Sequence, residues 1–230
     1  LPGKPLLKIN NLSIISHVFK RAEEANIGEV VVATEDREIV KDVTKNGGKA
    51  ILTNSNHETG TDRIFEAFKK LDIKNVDYIL NLQGDEPNIN KEDIINLNNF
   101  MIDSNAEIGT LAATIKDDKM LDNENVVKVV TENELNKKNF PIAKNFIRND
   151  LSKKNQNIYH HIGIYSYKLS TLEKFVSLKQ TKNEIQNKLE QLRALDNKLK
   201  INVALAKFSP IGVDTKEDYL AIKKIMEYKS

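Results

Sequence analysis

Short β-branched runs alternate with amphipathic helical repeats along this chain, and no other feature limits its fold as strongly. Ile14, Ile15, Val18, Phe19 and Ala22 recur at helical spacing, and Gly28 closes that segment. Glu29–Thr34 follows as a β-branched run typical of a buried strand. Asp36–Lys45 reads as a helix stopped by Gly47-Gly48, and Lys49–Leu52 as the next strand. A helix over Asp62–Leu71 carries Ile64, Ala67, Phe68 and Leu71 on one face. Tyr78–Leu82 is nearly all apolar, Lys91–Ile102 reads as helix, and Ile108–Ile115 as strand. That order predicts an α/β fold with three αβα layers, its sheet mostly parallel and covered by helices on both faces.

The second half is less regular. Val126–Val130 reads as a strand and Thr131–Asn139 as a polar surface turn or insertion, with a second polar break over Asp150–Asn157. Tyr159–Tyr167 alternates as a strand, Leu169–Val176 is a short helix, and Ile185–Leu195 reads as one longer helix. Ile201–Ala206 and Thr215–Tyr228 supply a last strand and helix. A chain of 230 residues can bury roughly three quarters of its unfolded surface, so a single domain over 1–230 is expected.

Composition narrows the function. Cysteine is absent, which excludes disulfides, thiolate catalysis and Cys-ligated zinc. A net charge of +2 is too even for a surface built to hold nucleic acid or a membrane. No apolar run approaches a membrane span of about 20 residues. The opening residues Leu1–Lys4 lack a basic-then-apolar signal pattern, so a cytoplasmic protein is expected.

In open α/β sheets, ligands bind beyond the carboxyl ends of parallel strands. That rule singles out Gln83-Gly84-Asp85-Glu86-Pro87, directly after the most apolar run. Gly84 would let a ligand approach the backbone, Pro87 would end the strand, and Asp85 would suit Mg²⁺. Leu1-Pro2-Gly3-Lys4-Pro5-Leu6 is a stiff loop around a single lysine, suited to a phosphate but without Walker spacing, and in isolation a plain surface turn is the better reading. Thr59-Gly60-Thr61-Asp62-Arg63 opens a helix, where an anion site and a Thr59/Asp62 capping box are both readings; capping is the better one. Gly212-Val213-Asp214-Thr215 has the same ambiguity, with Asp214/Glu217 or Thr215/Asp218 able to cap the last helix. Period-two alternation puts His161, Gly163 and Tyr165 on one strand face, and His160 looks exposed. Leu189, Leu192 and Leu195 form a core stripe, flanked by Glu190 and Gln191, with Glu190 able to pair with Arg193.

Taken in order, these motifs resemble the 3-deoxy-manno-octulosonate cytidylyltransferases, also called CMP-Kdo synthetases. The match includes Leu1–Leu6, Val31–Thr34, Gly60–Arg63, Gln83–Pro87, Val127–Val130, His161–Tyr165, Leu189–Arg193 and Gly212–Thr215. The resemblance implies a nucleotide-diphospho-sugar transferase fold, usually a homodimer, that joins CTP and Kdo to CMP-Kdo and pyrophosphate with Mg²⁺, for lipopolysaccharide biosynthesis. It implies that Lys4 contacts the triphosphate and that Asp85 and Asp214 hold Mg²⁺. Thr34, Gly60, Thr61 and Arg63 would line the nucleotide pocket, and Gln83 would sit between the two substrates. His161, Tyr165, Glu190 and Gln191 would bind the sugar acid.

The family's Phe-Ser-Arg motif is matched most nearly by Phe146-Ile147-Arg148 after a longer polar insertion, and the resemblance implies Arg148 as the sugar-carboxylate ligand. The family begins with an apolar strand and an arginine-bearing loop, whereas this chain starts inside Leu-Pro-Gly-Lys-Pro. The expectation is a domain lacking its first strand, with an open seam near Val30–Ala33 or Tyr78–Leu82 and weak turnover. CMP-sialic acid synthetase is the alternative enzyme, and a non-catalytic binding or oligomerisation module is the alternative of another kind. The His-x-Gly-x-Tyr and Leu-Glu-Gln-Leu-Arg matches favour Kdo.

Overall fold

The computed structural model describes residues 1–117, 119–148 and 157–227, so most of the second polar break lies outside the described residues. A 3₁₀ turn over Lys4–Leu6 leads into the short hairpin of β1 (Lys8–Ile9) and β2 (Leu12–Ser13). Ser13 then caps α1 (Ile14–Ala25), its hydroxyl accepting from Ser16 N at 3.2 Å. The helix buries Ile14, Ile15, Val18, Phe19, Ala22 and Ala25, the stripe read from the sequence. It ends at Asn26, which adopts a left-handed φ of 50°, two residues before the glycine expected to close it. β3 (Val32–Thr34), α2 (Arg37–Lys45), β4 (Ala50–Leu52) and α3 (Gly60–Leu71) continue the alternation. Asp36 caps α2 by accepting from Glu38 N at 2.7 Å.

β5 (Tyr78–Asn81), α4 (Lys91–Ser104), β6 (Ile108–Ala113), α5 (Lys119–Asp122) and β7 (Lys128–Thr131) come next. They are followed by β8 (Ala143–Ile147), β9 (Ile158–Lys168), α6 (Leu169–Ser177), α7 (Lys182–Asn187), α8 (Gln191–Asp196), β10 (Ile201–Leu205) and α9 (Lys216–Glu227). Two compact units result. The first comprises Leu1–Ile73, Leu82–Ile95 and Pro210–Ser230; the second comprises Lys74–Asn81 and Asn96–Ser209.

In the first unit, β3 and β4 pair in parallel, Val32 opposite Ala50. A cluster of Ile9, Ile14, Val213 and Ile222 is fully buried, with Leu7, Ile211 and Tyr219 packed on it. Full burial of a side chain of this size contributes roughly 1.5–3 kcal/mol, which anchors the loop before α9 to α1.

In the second unit, β9 is the spine of a six-stranded sheet. One edge pairs with β6 along most of its length; the other pairs with β7 at its start and β5 at its end, all antiparallel. β10 runs parallel to β6, and β8 antiparallel to β7. The α/β class holds and the sheet is mixed, because β9 returns against its neighbours instead of crossing over. β3 pairs with β4 alone and β5 with β9 alone among the described residues. Among the described residues, no helix is long and apolar enough to cross a membrane.

The long helix expected over Ile185–Leu195 is two helices. Lys188 takes a left-handed φ of 52° and ends α7, and the chain restarts at Gln191. A Thr181/Glu184 capping box starts α7. Glu184 then accepts two bonds from the Arg193 guanidinium, Nε at 2.9 Å and Nη2 at 2.5 Å, with both side chains buried. Arg193 thus pairs with Glu184 across the break.

Candidate active site

Lys4 is the centre of a charged cluster in the first unit. Pro5 inside the 3₁₀ turn and Gly3 at φ 68° set the backbone, so the lysine leaves a fixed turn. Its Nζ donates to Asp85 Oδ2 at 2.7 Å and to Asp214 Oδ1 at 2.9 Å. The two carboxylates, remote in sequence, therefore share one ammonium. Val213 N donates to Asp85 O at 3.0 Å, and Ile211 N to Asn88 Oδ1 at 3.0 Å, so the loop before α9 is fastened directly to the loop after β5.

The capping ambiguity at Asp214 is resolved by these bonds. Thr215 Oγ1 accepts from Asp218 N at 3.1 Å, while the Asp218 carboxylate accepts from Asp214 N and Thr215 N at 3.2 and 2.8 Å. Thr215 and Asp218 cap α9, and the Asp214 carboxylate is left to face Lys4. Burial works against the Lys4 ammonium, but its bonds to Asp85 and Asp214 outweigh it and raise its pKa above the ordinary value.

Among the described residues no group of three or more His, Cys, Asp or Glu side chains gathers, so a site made wholly of protein ligands is not present. Two carboxylates beside one lysine suit Mg²⁺, which takes one or two protein carboxylates and completes its shell with phosphate oxygens and water.

Glu86 was not singled out by the sequence. Its Oε2 is enclosed with no hydrogen-bond partner among the described residues. Burial, then the charge of Asp85, push its carboxyl up to about 8. At Gly84 an added Cβ would stand 2.8 Å from Ile15 Cδ1, so the glycine makes room for α1. Gln83 is exposed.

The helix start at α3 serves the scaffold. Thr59 caps it, accepting from Asp62 N at 3.3 Å and donating to Asp62 Oδ2 at 2.7 Å. Arg63 donates to Thr53 Oγ1 at 2.7 Å, to Asn54 O at 3.1 Å and to Glu35, pinning together the loops after β3 and β4. Thr34 is buried, its hydroxyl accepting from Asp36 N at 3.1 Å, and Thr61 is buried as well. A Cβ at Gly60 would meet open space.

Of the residues expected for the sugar acid, Arg148, His161, Tyr165, Glu190 and Gln191 fall in the second unit and Gln83 in the first. His161 and Tyr165 share a face of β9, with Tyr165 Oη 3.0 Å from His161 Nε2, and Phe146 of β8 stands edge-on to the imidazole at 5.0 Å. Burial, then neighbouring His160, lower the His161 pKa to about 3, so the ring is neutral. His160 is half-buried rather than exposed, its Nδ1 2.8 Å from Ser209 Oγ. Burial, then Tyr167 and Glu190, raise Tyr165 well above its ordinary value, which puts Glu190 within electrostatic reach of the phenol. Glu190 stands at the N-cap of α8, and Gln191 is its buried first residue.

Arg148 braces the same turn. Its Nε, Nη1 and Nη2 donate to the carbonyls of Asn187, Glu124 and Lys188 at 3.1, 3.2 and 3.3 Å. One N–H on each Nη remains, enough for an end-on pair of bonds to a carboxylate. Lys128, which the sequence did not single out, is 2% exposed. Its ammonium donates to Asn123 O at 2.8 Å and Arg148 O at 2.5 Å, fixing the backbone from which the guanidinium projects. Burial lowers its pKa, with Asp122 and Glu124 acting against the shift.

The family model described as cytidylyltransferase matches residues 1–201. A 3-deoxy-manno-octulosonate cytidylyltransferase of Nitrobacter hamburgensis is 41% identical over 233 residues, covering 98% of this chain and 87% of the relative. One from Thermodesulfovibrio yellowstonii is 42% identical over 236 residues, covering 98% and 92%. The chain belongs to the 3-deoxy-manno-octulosonate cytidylyltransferase family. A solved CMP:2-keto-3-deoxy-manno-octonic acid synthetase complexed with CTP superposes with a TM-score of 0.89 at 33% identity, covering all of this chain and 94% of that one. An apo UDP-glucose pyrophosphorylase at 12% identity and TM-score 0.72 shares the fold. The comparisons lend no support to the expected N-terminal truncation of this cytidylyltransferase-family chain.

Proposed function

We propose that the protein transfers a cytidylyl group from CTP to 3-deoxy-manno-octulosonate, giving CMP-Kdo and pyrophosphate for lipopolysaccharide biosynthesis, with Mg²⁺ as cofactor. The observation that carries this reading is the single lysine bridging Asp85 and Asp214, set in a chain of this family. In the reaction the anomeric hydroxyl of Kdo attacks the α-phosphorus of CTP. The bond from that phosphorus to the bridging oxygen breaks, the hydroxyl proton is released, and pyrophosphate leaves. Negative charge builds on the bridging and non-bridging oxygens, and catalysis is chiefly positioning and charge stabilisation.

Asp85 and Asp214 would hold the metal; when bound, Mg²⁺ supplies positive charge to the triphosphate oxygens. The carboxylates then no longer need Lys4 as their counter-charge, and its ammonium turns to the triphosphate. The raised pKa keeps it charged for that contact. Thr34, Gly60, Thr61, Arg63 and Gln83 belong to the nucleotide side of this reading, with Arg63 holding the loops that shape it. On the sugar side, His161, Tyr165, Glu190 and Gln191 meet hydroxyls, and Arg148 meets the carboxylate. A homodimer in the cytoplasm is part of the same reading, and sedimentation velocity tests the dimer.

Pyrophosphate release from CTP and Mg²⁺ is the deciding assay, run with Kdo and N-acetylneuraminate side by side. Release with Kdo alone is expected. Faster release with N-acetylneuraminate would move the assignment to the sialic acid enzyme.

A further inference from the structure

Within β6 and β9 the strand register shifts between Thr110 and Leu111. Thr110 pairs with Tyr165 while Leu111 pairs with Ile162, so Gly163 and Ile164 bulge out of the ladder. Buried Thr110 bonds into that bulge. Its Oγ1 lies 2.7 Å from Ile164 O, 3.2 Å from Ile162 O and 3.1 Å from His161 Nε2.

Counting protons settles who donates. Carbonyl oxygens only accept, so the single hydroxyl proton of Thr110 goes to a carbonyl, with Ile164 the nearer. Were it directed at the imidazole instead, two buried oxygens would face each other at 2.7 Å with no proton between them. Thr110 Oγ1 is therefore an acceptor toward His161, and Nε2 must carry the hydrogen. Tyr165 Oη, 3.0 Å from the same nitrogen, can then only accept from it. A neutral ring has one N–H, so Nδ1 carries a lone pair. Nδ1 has no partner among the described residues.

We propose that Thr110 is a positioning residue that locks His161 as its Nε2–H tautomer, so that Nδ1 is presented as an acceptor for a hydroxyl of the sugar acid. The ligand assignment rests on the proposed Kdo transfer; the tautomer does not. The strongly lowered pKa of His161 agrees with a ring that stays neutral through the working pH range.

The test is ¹⁵N NMR of the imidazole in the ligand-free full chain, with the His161 signals assigned by substitution. The wild type should show a protonated Nε2 and a pyridine-type Nδ1. In Thr110→Val the carbonyls lose their donor and Nε2 loses its threonine acceptor, so Tyr165 donates to Nε2 and the proton moves to Nδ1. Thr110→Ser should keep the wild-type pattern, and so should Tyr165→Phe, since Thr110 still dictates the tautomer. A protonated Nδ1 in the wild type, or a switch caused by Tyr165→Phe, overturns the proposal even if Thr110→Val fails to fold. Thr110→Val should also raise the KM for Kdo about tenfold, the worth of one lost hydrogen bond, with that for CTP unchanged. An equal rise for both substrates overturns the positioning role. Absence of Kdo turnover in the wild type would refute the enzyme assignment while the nitrogen shifts still decide the tautomer.

Discussion

Glu86→Gln probes the electrostatics beside Asp85. The Glu86 carboxyl is moved from an ordinary 4.5 to about 8, chiefly by burial and then by the charge on Asp85. Between those values the native state holds a proton that the unfolded chain has released. The stability this carboxyl contributes is thus fully present below about pH 4.5 and is lost as pH rises through 8. Each pH unit inside the window corresponds to about 1.4 kcal/mol, so by pH 7 the native state has lost about 3 kcal/mol. Glutamine does not titrate. Urea unfolding between about pH 5 and pH 9 should therefore show the variant gaining on the wild type by about 1.4 kcal/mol per pH unit, levelling off near 8. Any fixed cost of burying the amide moves the whole curve and leaves its slope intact. A difference that is flat with pH would refute the reasoning, because it would mean that Glu86 is ionised in the native state.

Other expected outcomes follow from the same contacts. Asp85→Asn should lower turnover by about a hundredfold or more with an unchanged circular dichroism spectrum, since a neutral amide is a poor Mg²⁺ ligand. Arg148→Ala should raise the KM for Kdo much more than that for CTP; equal effects would contradict the match across the polar insertion. Arg193→Met should cost about 3 kcal/mol in urea unfolding by leaving Glu184 buried and unpaired, and adding Glu184→Leu should recover most of it.

The charged cluster was legible in the sequence only in part, since Lys4 and Asp214 read locally as an ordinary turn and a helix cap and only the family resemblance joined them to Asp85. Asp85 sits where an apolar run turns polar before Pro87, and Lys4 sits in a loop stiffened by two prolines. At Asp214 the sequence offered two capping pairs, and only the bond from Asp218 N to Thr215 Oγ1 chose between them. The break between α7 and α8 left no mark, because the left-handed residue is Lys188 rather than Gly or Asn. β8 was unreadable for another reason: in Ala143–Ile147 only Ala143 and Phe146 are buried, too few to show a period. Lys128 reads as a solvated charge in any local window, and its burial comes from carbonyls at Asn123 and Arg148. Thr110 is equally hidden, since every residue of β6 is buried and its role depends on a bulge in a distant strand.

The central claim is that Lys4, Asp85 and Asp214 form the metal and triphosphate site. Titration calorimetry of CTP into the protein, with and without Mg²⁺, tests it most directly when the Asp85→Asn/Asp214→Asn double variant is run beside the wild type. The account predicts that Mg²⁺ strengthens CTP binding to the wild type and has no such effect on the double variant. Equal Mg²⁺ enhancement in the two proteins would contradict it.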